Sequence, residues 1–242
     1  MSGLRDAKAF LDAMAYQHSR GEPPDLQRGR YPFLTISRQA GAGGHTLAET
    51  LRQTLECDPD PLWHGWQVFD QALCTTLLQD PSLHVSLQSL LTEAYRTEIE
   101  ELIFHLLLFG RETPQDVVVK KLFGVIRTLA TVGKVIIVGR AGACVTRSLP
   151  LGVHLRLAAP EPVRVRRLMH LLGTGEPEAL RAVRRQDADR ARLVDTYFGR
   201  AIDDPLLYDA TWNTETVAFE AIAAATLALL KARVHAPQPA AV

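Results

Sequence analysis

The sequence predicts an α/β fold in which a parallel central sheet is covered by helices on both faces, giving three layers. Short apolar runs rich in β-branched residues alternate with segments of helical periodicity along most of the chain. A glycine-rich turn directly follows the first of these runs, and the 242 residues suffice for one large α/β domain. In such folds, ligands bind at the carboxyl ends of the strands.

The chain begins with a predicted helix and linker over residues 1–30. Residues 3–18 carry apolar side chains at helical spacing, and the glycine and prolines at 21–24 then break the helix. A buried strand is predicted at 33–36, and helical spacing returns after the glycine-rich turn. Strand, glycine loop and helix therefore follow one another at the start of the main domain, which we place at 31–234.

Further strands and helices fill the middle of this domain. A strand is predicted at 66–69, ending at Asp70. Residues 84–133 contain two stretches of helical periodicity, and Pro114 can occupy the first turn of the second one. We therefore expect a helical insert at about 80–133. The run Val135–Val138 is apolar on both faces and should be a central parallel strand.

The last third of the domain repeats the alternation. Residues 153–157 predict a strand, and a helix should run from Pro162 to Leu172 and stop at Gly173. The remaining predictions are a charged helix at about 177–193, a strand at 208–212, an alanine-rich helix at 215–233 and a frayed tail at 235–242.

Composition limits the kinds of partner. The 27 basic and 27 acidic residues cancel, so bulk electrostatics does not favour binding to nucleic acid or to a membrane surface. The longest apolar stretch, Leu102–Phe109, is too short to cross a bilayer, and the three cysteines lack a metal-binding spacing. We therefore expect a cytoplasmic protein with reduced cysteines, bound neither to nucleic acid nor to a membrane.

The glycine-rich turn is the first candidate site. Its glycines let the backbone curl close to an anion and point N–H groups at it, and the following helix adds the positive end of its dipole. A tight strand-to-helix connection without a ligand would look similar, but the position after the first core strand favours phosphate. The hydroxyl of Thr46 could reach magnesium or cap the helix. The predicted phosphate-binding residues are Ser37, Arg38, Gly41, Ala42, Gly43, Gly44, His45 and Thr46.

This turn lacks the lysine of the G-x-x-x-x-G-K-[ST] motif. If Thr46 takes the Ser/Thr position, His45 stands where the lysine should be. If Gly41-Ala42-Gly43 is aligned with the Gly-Ala-Gly that precedes lysine in many nucleotide kinases, Gly44 takes that place. Either way the lysine is missing, and Arg38 rather than a glycine begins the loop.

Replacement charge must come from arginine, because only five residues are lysines and none is well placed. Lys134 lies at the amino end of its strand, opposite the ligand edge, and Lys120 and Lys121 lie in a predicted helix. Arginine offers a planar fork to phosphate oxygens. Arg38 in the loop and Arg140 just past the strand 135–138 are the predicted replacements.

Four segments resemble the cytidylate kinase-like family. Residues 36–44 with Ala48 look like that family's Ser-Arg-Gln-x-Gly-x-Gly-Gly signature, a loop that itself lacks the usual lysine. The segments 70–73, 135–141 and 187–214 are similar to further parts of the family pattern and follow in the same order. The resemblance spans residues 33–214.

The resemblance implies a P-loop fold of the nucleoside monophosphate kinase type, with ATP and Mg²⁺ at the loop. A phosphoryl acceptor would lie between the helical insert and the sheet, where Arg140 and Asp70 match acceptor-site residues of the family. An arginine-rich region at about 160–200 matches its lid. The implied lid residues are Arg164, Arg167, Arg185, Asp187 and Arg192. The implied catalytic residues are Arg38, Arg140, Arg184 and Arg190.

The expected activity is ATP-dependent phosphoryl transfer to a nucleoside monophosphate such as CMP, or to a related small acceptor. A nucleotide-binding regulatory protein without kinase activity is the alternative, and another small-molecule kinase is a third. For each lid arginine, a solvated helix face with pairs such as Arg185 and Asp189 is the competing interpretation. Departures from the family pattern at Ala40, His45 and 58–66 leave the identity of the acceptor open.

Overall fold

A computed structural model describes residues 2–19, 31–79, 114–139 and 141–235. Within these residues the strands are β1 Phe33–Arg38, β2 Gln67–Phe69, β3 Val135–Val138, β4 Gly152–Ala158 and β5 Ala210–Asn213. The helices are α1 Ser2–Ser19, α2 Gly44–Glu56, α3 Gln71–Gln79, α4 Pro114–Val132, α5 Gly142–Thr146, α6 Glu161–Leu172, α7 Glu176–Phe198 and α8 Phe219–His235. Two 3₁₀ turns, Pro61–Trp63 and Pro205–Leu207, complete the described elements.

The five strands form one parallel sheet in the order β2-β3-β1-β4-β5. The central strand β1 pairs with β3 on one side, where Ile36 lies opposite Val138, and with β4 on the other, where Ser37 lies opposite Arg156. The chain therefore crosses over β1 on its way from β3 to β4. This arrangement brings the carboxyl ends of β3, β1 and β4 side by side, at the position where such sheets bind ligands.

Helices cover both faces of the sheet, which confirms the predicted three layers. On one face, buried residues of α1, α3 and α4 pack with Phe33, Phe69 and Ile137. On the other, α2 and α8 pack together over Leu34 and Ile36. The strands are apolar on both sides because each face is buried.

The predicted elements are present with shifted ends. Helix α4 ends at Gly133 and α6 ends at Gly173, both with φ in the left-handed region, as the sequence indicated. Helix α7 continues to Phe198 instead of ending near 193, because its left-handed glycine cap is Gly199. The last helix begins only at Phe219, since residues 213–217 form a turn. The five-residue helix α5 was not predicted.

Several predictions fall outside the described residues. These are the linker at 20–30, the part of the helical insert at 80–113, Arg140 and the tail at 236–242. Among the described helices, none combines the length and the apolar character needed to cross a bilayer.

Candidate functional site

The glycine loop joins the end of β1 to the start of α2 in a conformation that requires glycine twice. Gly41 has φ +76° and Gly43 has φ +85°, both in the left-handed region. A Cβ atom at Gly41 would lie 2.5 Å from the carbonyl oxygen of Arg164, and one at Gly43 would overlap the ring of Phe219. Conformation and close packing therefore both exclude a side chain at these two positions.

The start of α2 presents unpaired backbone donors at the carboxyl edge of the sheet. Its N-cap is Gly43, which has no side chain to accept from the first turn. Within the described residues, the amides of Gly43, Gly44, His45 and Thr46 have no acceptor. Such amides, together with the helix dipole, favour an anion. Thr46 is not the cap; its exposed side chain stands in the first turn beside His45.

Arg38 crosses the start of α2 beside this helix end. A Cβ atom at Gly44 would lie 3.0 Å from Arg38 Cγ and 3.2 Å from Cδ, and one at Gly139 would overlap Arg38 Nη1. The side chain of Arg38 therefore fills the space beside Gly44 and reaches the end of β3. Both positions that could replace the lysine, Gly44 and His45, lie in the first turn of α2, and the side chain of Arg38 lies beside Gly44.

The backbone of the loop is held by two charged residues from the helices α6 and α7. The amide of Ala40 donates to Asp187 Oδ1 at 2.7 Å, and the carbonyl of Ala40 accepts from Arg164 Nη1 at 3.1 Å. Arg164 Nη1 also forms an ion pair with Asp187 Oδ2 at 2.7 Å. Arg164 is 6 % exposed, so in this structure its side chain is a buried support of the loop.

A second anchor holds the middle of the loop. Thr214, which follows β5, donates its hydroxyl to the carbonyl of Ala42 at 3.0 Å. Arg167 on α6 donates from Nη1 to Thr214 Oγ1 at 2.9 Å and from Nη2 to the Thr214 carbonyl at 2.6 Å. Both α6 arginines predicted for the lid thus contact the loop or its direct support.

Arg190 on α7 lies close to the end of β1. Its Nη2 donates to Gln186 Oε1 at 3.0 Å, and its Nη1 approaches the Arg38 carbonyl and Asp187 Oδ1, each at 3.5 Å. Burial lowers the pKa of Arg190, and the nearby positive charges lower it further against the opposing effect of Asp187. Since the pKa of arginine starts far above neutral, Arg190 stays cationic.

Arg156 on β4 is a residue of this site that the sequence argument missed. It is 8 % exposed, and its Nη1 donates to Ser37 Oγ at 3.1 Å. The hydroxyls of Ser37 and Tyr208 lie 3.2 Å apart, and Tyr208 donates its proton to the carbonyl of Ile202 at 2.7 Å. An arginine inside an otherwise apolar, alternating strand was the signal that could have identified it.

Two clefts open beside these residues. One is lined by Ser37, Arg38, Gly139, Cys144, Arg190 and Tyr208, at the ends of β1 and β3. The other runs along α7 and is lined by Arg38, Gln39, Arg156, Asp187, Arg190 and Arg200. Arg38 and Arg190 line both clefts, so a ligand in either one would meet the same two guanidinium groups.

The remaining predicted residues lie at varied distances from the loop. Asp70 caps α3 by accepting from the amide of Leu73 at 2.9 Å. Arg184 is exposed and pairs with Glu161, Arg192 is exposed and pairs with Asp189, and Arg185 is exposed. Arg140 lies outside the described residues. Lys134, one of the lysines that the sequence analysis set aside, donates to the carbonyl of His64 at 3.0 Å.

The residues around the loop fit magnesium bound through phosphate. The described part of the chain contains no cluster of three histidine, cysteine or carboxylate side chains able to hold a metal by itself. Magnesium in phosphoryl-transfer sites keeps several waters and takes only one or two protein ligands besides the phosphates. The exposed hydroxyl of Thr46, in the first turn of α2, is a suitable ligand of this kind.

Together the parallel sheet, the left-handed glycine loop and the convergent arginines define a P-loop α/β protein of the kinase type. Residues 33–216 match the cytidylate kinase-like family, and the chain belongs to that family. The match confirms the resemblance carried by the loop and the three later segments. Membership supports a nucleotide-binding phosphotransferase in general.

A solved structure supports the fold. An uncharacterized protein from Eubacterium ventriosum ATCC 27560 is similar with a TM-score of 0.61 at 17 % identity, covering 84 % of this chain and 100 % of that one. Shikimate kinases from Bacteroides thetaiotaomicron and Acinetobacter baumannii give TM-scores of 0.44 and 0.40, each at 14 % identity. They cover 83 % and 84 % of this chain and 98 % and 94 % of theirs. No curated protein matches the sequence.

Proposed function

We propose that this protein transfers the γ-phosphoryl group of ATP to a nucleoside monophosphate such as CMP, or to a related small acceptor. The observation that carries the proposal is the position of Arg38. Its side chain fills the space beside Gly44, one of the two positions that could replace the lysine of the motif, and reaches the end of β3. A positive charge therefore lies next to the loop amides in the absence of the usual lysine.

Phosphoryl transfer suits this arrangement because the protein has little covalent chemistry to perform. Catalysis depends on positioning two anions and on neutralising the charge that develops on the transferred group. The free amides at the start of α2 would hold the phosphates of ATP, and Arg38 would neutralise charge beside them. The ion pair of Arg164 with Asp187 would keep the loop in its binding conformation.

Magnesium would be held by the ATP phosphates and the hydroxyl of Thr46. When bound, the ion neutralises phosphate charge during transfer. His45, the exposed neighbour of Thr46, is then free to contact the nucleotide from the side of the first turn.

The acceptor would lie in the cleft at the ends of β1 and β3. The cleft has a volume of about 230 Å³, which suits a small substrate better than a large one. Arg190 and Tyr208 line it together with the apolar side chains of Leu193, Val194 and Ile202. This combination of a guanidinium, a phenol hydroxyl and apolar walls fits a small molecule that carries both an anionic and an uncharged part.

The test is a kinase assay on the wild-type protein. A panel of nucleoside monophosphates is incubated with ATP and Mg²⁺, and ADP production is measured. We expect turnover with at least one acceptor and its loss when Mg²⁺ is chelated. ATP binding without turnover on any acceptor would favour a nucleotide-binding regulatory protein, and no nucleotide binding at all would remove both interpretations.

A further inference from the structure

A buried guanidinium lies beside the phosphate loop, and no carboxylate of the described residues pairs with it. Arg156 is 8 % exposed, and its one hydrogen bond within the described residues is from Nη1 to the neutral Ser37 hydroxyl at 3.1 Å. Its guanidinium carbon lies 5.5 Å from the ring centroid of Tyr208. Over the part of the chain that the structure describes, no carboxylate forms an ion pair with it.

Within the described residues, most of the hydrogen-bond donors of Arg156 have no acceptor. A guanidinium has five N–H donors, and a buried charge without a counter-charge is costly. The guanidinium is not sealed in the core, because Arg156 lines the cleft that runs along α7. Its remaining donors are therefore available to a ligand that enters this cleft.

Within the described residues, three guanidinium groups and one half-buried carboxylate line the inner end of the cleft. Arg38, Arg156 and Arg190 line it together with the carboxylate of Asp187, which is already bonded to Arg164 and to the amide of Ala40. The two other carboxylates of the cleft, on Asp195 and Asp203, belong to exposed residues. Repulsion between the guanidinium groups of Arg156 and Arg190 would be relieved by an anion with more than one negative charge.

We propose that Arg156, with Arg190 and the hydroxyl of Ser37, forms a subsite for a doubly charged phosphate group, separate from the amides of the loop. The proposal rests on the proposed function for the identity of the ligand and adds a specific binding residue to it. In phosphoryl transfer, two phosphate-bearing molecules must meet at the carboxyl edge of the sheet. Ser37 and Arg156 lie opposite each other on β1 and β4 at this edge.

The test measures binding by isothermal titration calorimetry, with inorganic phosphate, ATP with Mg²⁺, and CMP as separate ligands. Wild-type protein is compared with Arg156→Gln, Arg156→Lys and the control Arg181→Gln, which removes an exposed arginine of α7. We expect Arg156→Gln to weaken phosphate binding roughly tenfold or more, the effect of one lost charge-assisted contact. Lysine keeps the positive charge but not the planar fork of donors. The phosphate affinity of Arg156→Lys should therefore lie between those of the wild type and Arg156→Gln. The control should bind as wild type.

The titrations with ATP and with CMP show which of the two ligands places its phosphate in the subsite. A loss confined to CMP assigns the subsite to the acceptor, and a loss confined to ATP assigns it to the donor. Thermal unfolding shows whether each variant is folded. If Arg156→Gln does not fold, Arg156→Lys is compared with the wild type in its place. Wild-type protein that binds no phosphate, or a folded Arg156 variant that binds all three ligands as wild type does, would overturn the proposal.

Failure of this subsite can be told apart from failure of the proposed function. If the wild-type protein shows no turnover but Arg156→Gln still loses phosphate binding, the subsite stands and the kinase activity does not. If turnover is normal and Arg156→Gln leaves both binding and the KM values unchanged, the kinase activity stands and the subsite does not.

Discussion

The carboxylate of Asp187 accepts a hydrogen bond from the backbone amide of Ala40 at 2.7 Å, which joins the long helix α7 to the phosphate loop. Its second oxygen pairs with Arg164, and the same nitrogen of Arg164 donates to the Ala40 carbonyl. Both backbone groups of one loop residue are therefore fixed by a single partly buried ion pair. In this structure the helices α6 and α7 are tied to the loop through that pair.

Replacing Asp187 should destabilise the protein. Asp187→Asn keeps an oxygen for the Ala40 amide but leaves Arg164 buried without its counter-charge, so we expect the free energy of unfolding to fall by about 2–4 kcal/mol. Urea denaturation measures the change. Asp189→Asn, which removes an exposed partner of Arg192, is the control and should cost less than about 0.5 kcal/mol. Equal effects of the two substitutions would contradict the anchoring role of Asp187.

Gly44→Ala tests the position of Arg38. Alanine suits the first turn of a helix, but its Cβ would lie 3.0 Å from Arg38 Cγ and displace that side chain. We expect a folded protein of unchanged or slightly higher thermal stability, with phosphoryl transfer lowered about as much as in Arg38→Ala, roughly tenfold or more. Steady-state kinetics and thermal unfolding give the two readouts. Full activity in Gly44→Ala beside a strongly impaired Arg38→Ala would show that Arg38 acts from another position.

Arg190 and Arg184 should differ sharply in their effect on turnover. Arg190 lines both clefts, whereas Arg184 is exposed and pairs with Glu161. We expect Arg190→Gln to lower kcat/KM by roughly a hundredfold, since it removes a cation from the site of developing charge. Arg184→Gln should stay within about twofold of wild type. A reversed order would mean that α7 moves during the reaction so that Arg184 reaches the substrates.

Lowering the pH should reduce the free energy of unfolding, partly through the protonation of His154. Burial, with smaller contributions from Arg233 and Arg147, lowers the pKa of His154 to about 4 against the opposing effect of Asp209. The unfolded chain, with an ordinary histidine pKa near 6.5, therefore binds a proton between about pH 6.5 and pH 4 that the folded protein does not. The stability that this group contributes is complete above pH 6.5 and falls as the pH drops towards 4.

Urea unfolding across that pH range measures the effect. We expect His154 to account for a loss of up to about 3 kcal/mol in the wild-type protein, from 1.4 kcal/mol per pKa unit. His154→Gln, which can still bond the hydroxyl of Thr35, should lose correspondingly less stability on acidification. The exposed His170→Gln is the control and should follow the wild-type curve. Parallel curves for His154→Gln and wild type would exclude His154 as the cause.

The features that the sequence predicted well are local ones. Gly173 predicts a helix end because a left-handed cap needs no information from elsewhere in the chain. The run 135–138 predicts a central strand because every residue is apolar and β-branched. The end of α7 was less accurate because the charged helix continues until its glycine cap at Gly199, and the start of α8 was less accurate because residues 213–217 form a turn. Helix α5 was missed because five residues are too few for a periodic signal.

The arginines show where prediction from sequence stops. Arg164 and Arg185 both lie in charged helices, and helical spacing gives no reason to separate them. In the structure Arg164 is buried against the loop and Arg185 is exposed. The difference arises because α6 packs its first turn directly onto Gly41, so that the Arg164 carbonyl would meet any Cβ atom there.

The sequence by itself determined that a glycine-rich loop follows the first core strand and that this loop lacks a lysine, and it predicts that arginine replaces the lysine. These conclusions follow from residue types in short segments, whose conformations depend on near neighbours. Only the tertiary structure decided which arginines lie beside the loop, because Asp187 and Ala40 are 147 residues apart and Arg156 and Ser37 are 119 apart. Such contacts exist only once the sheet has brought the ends of β1 and β4 together.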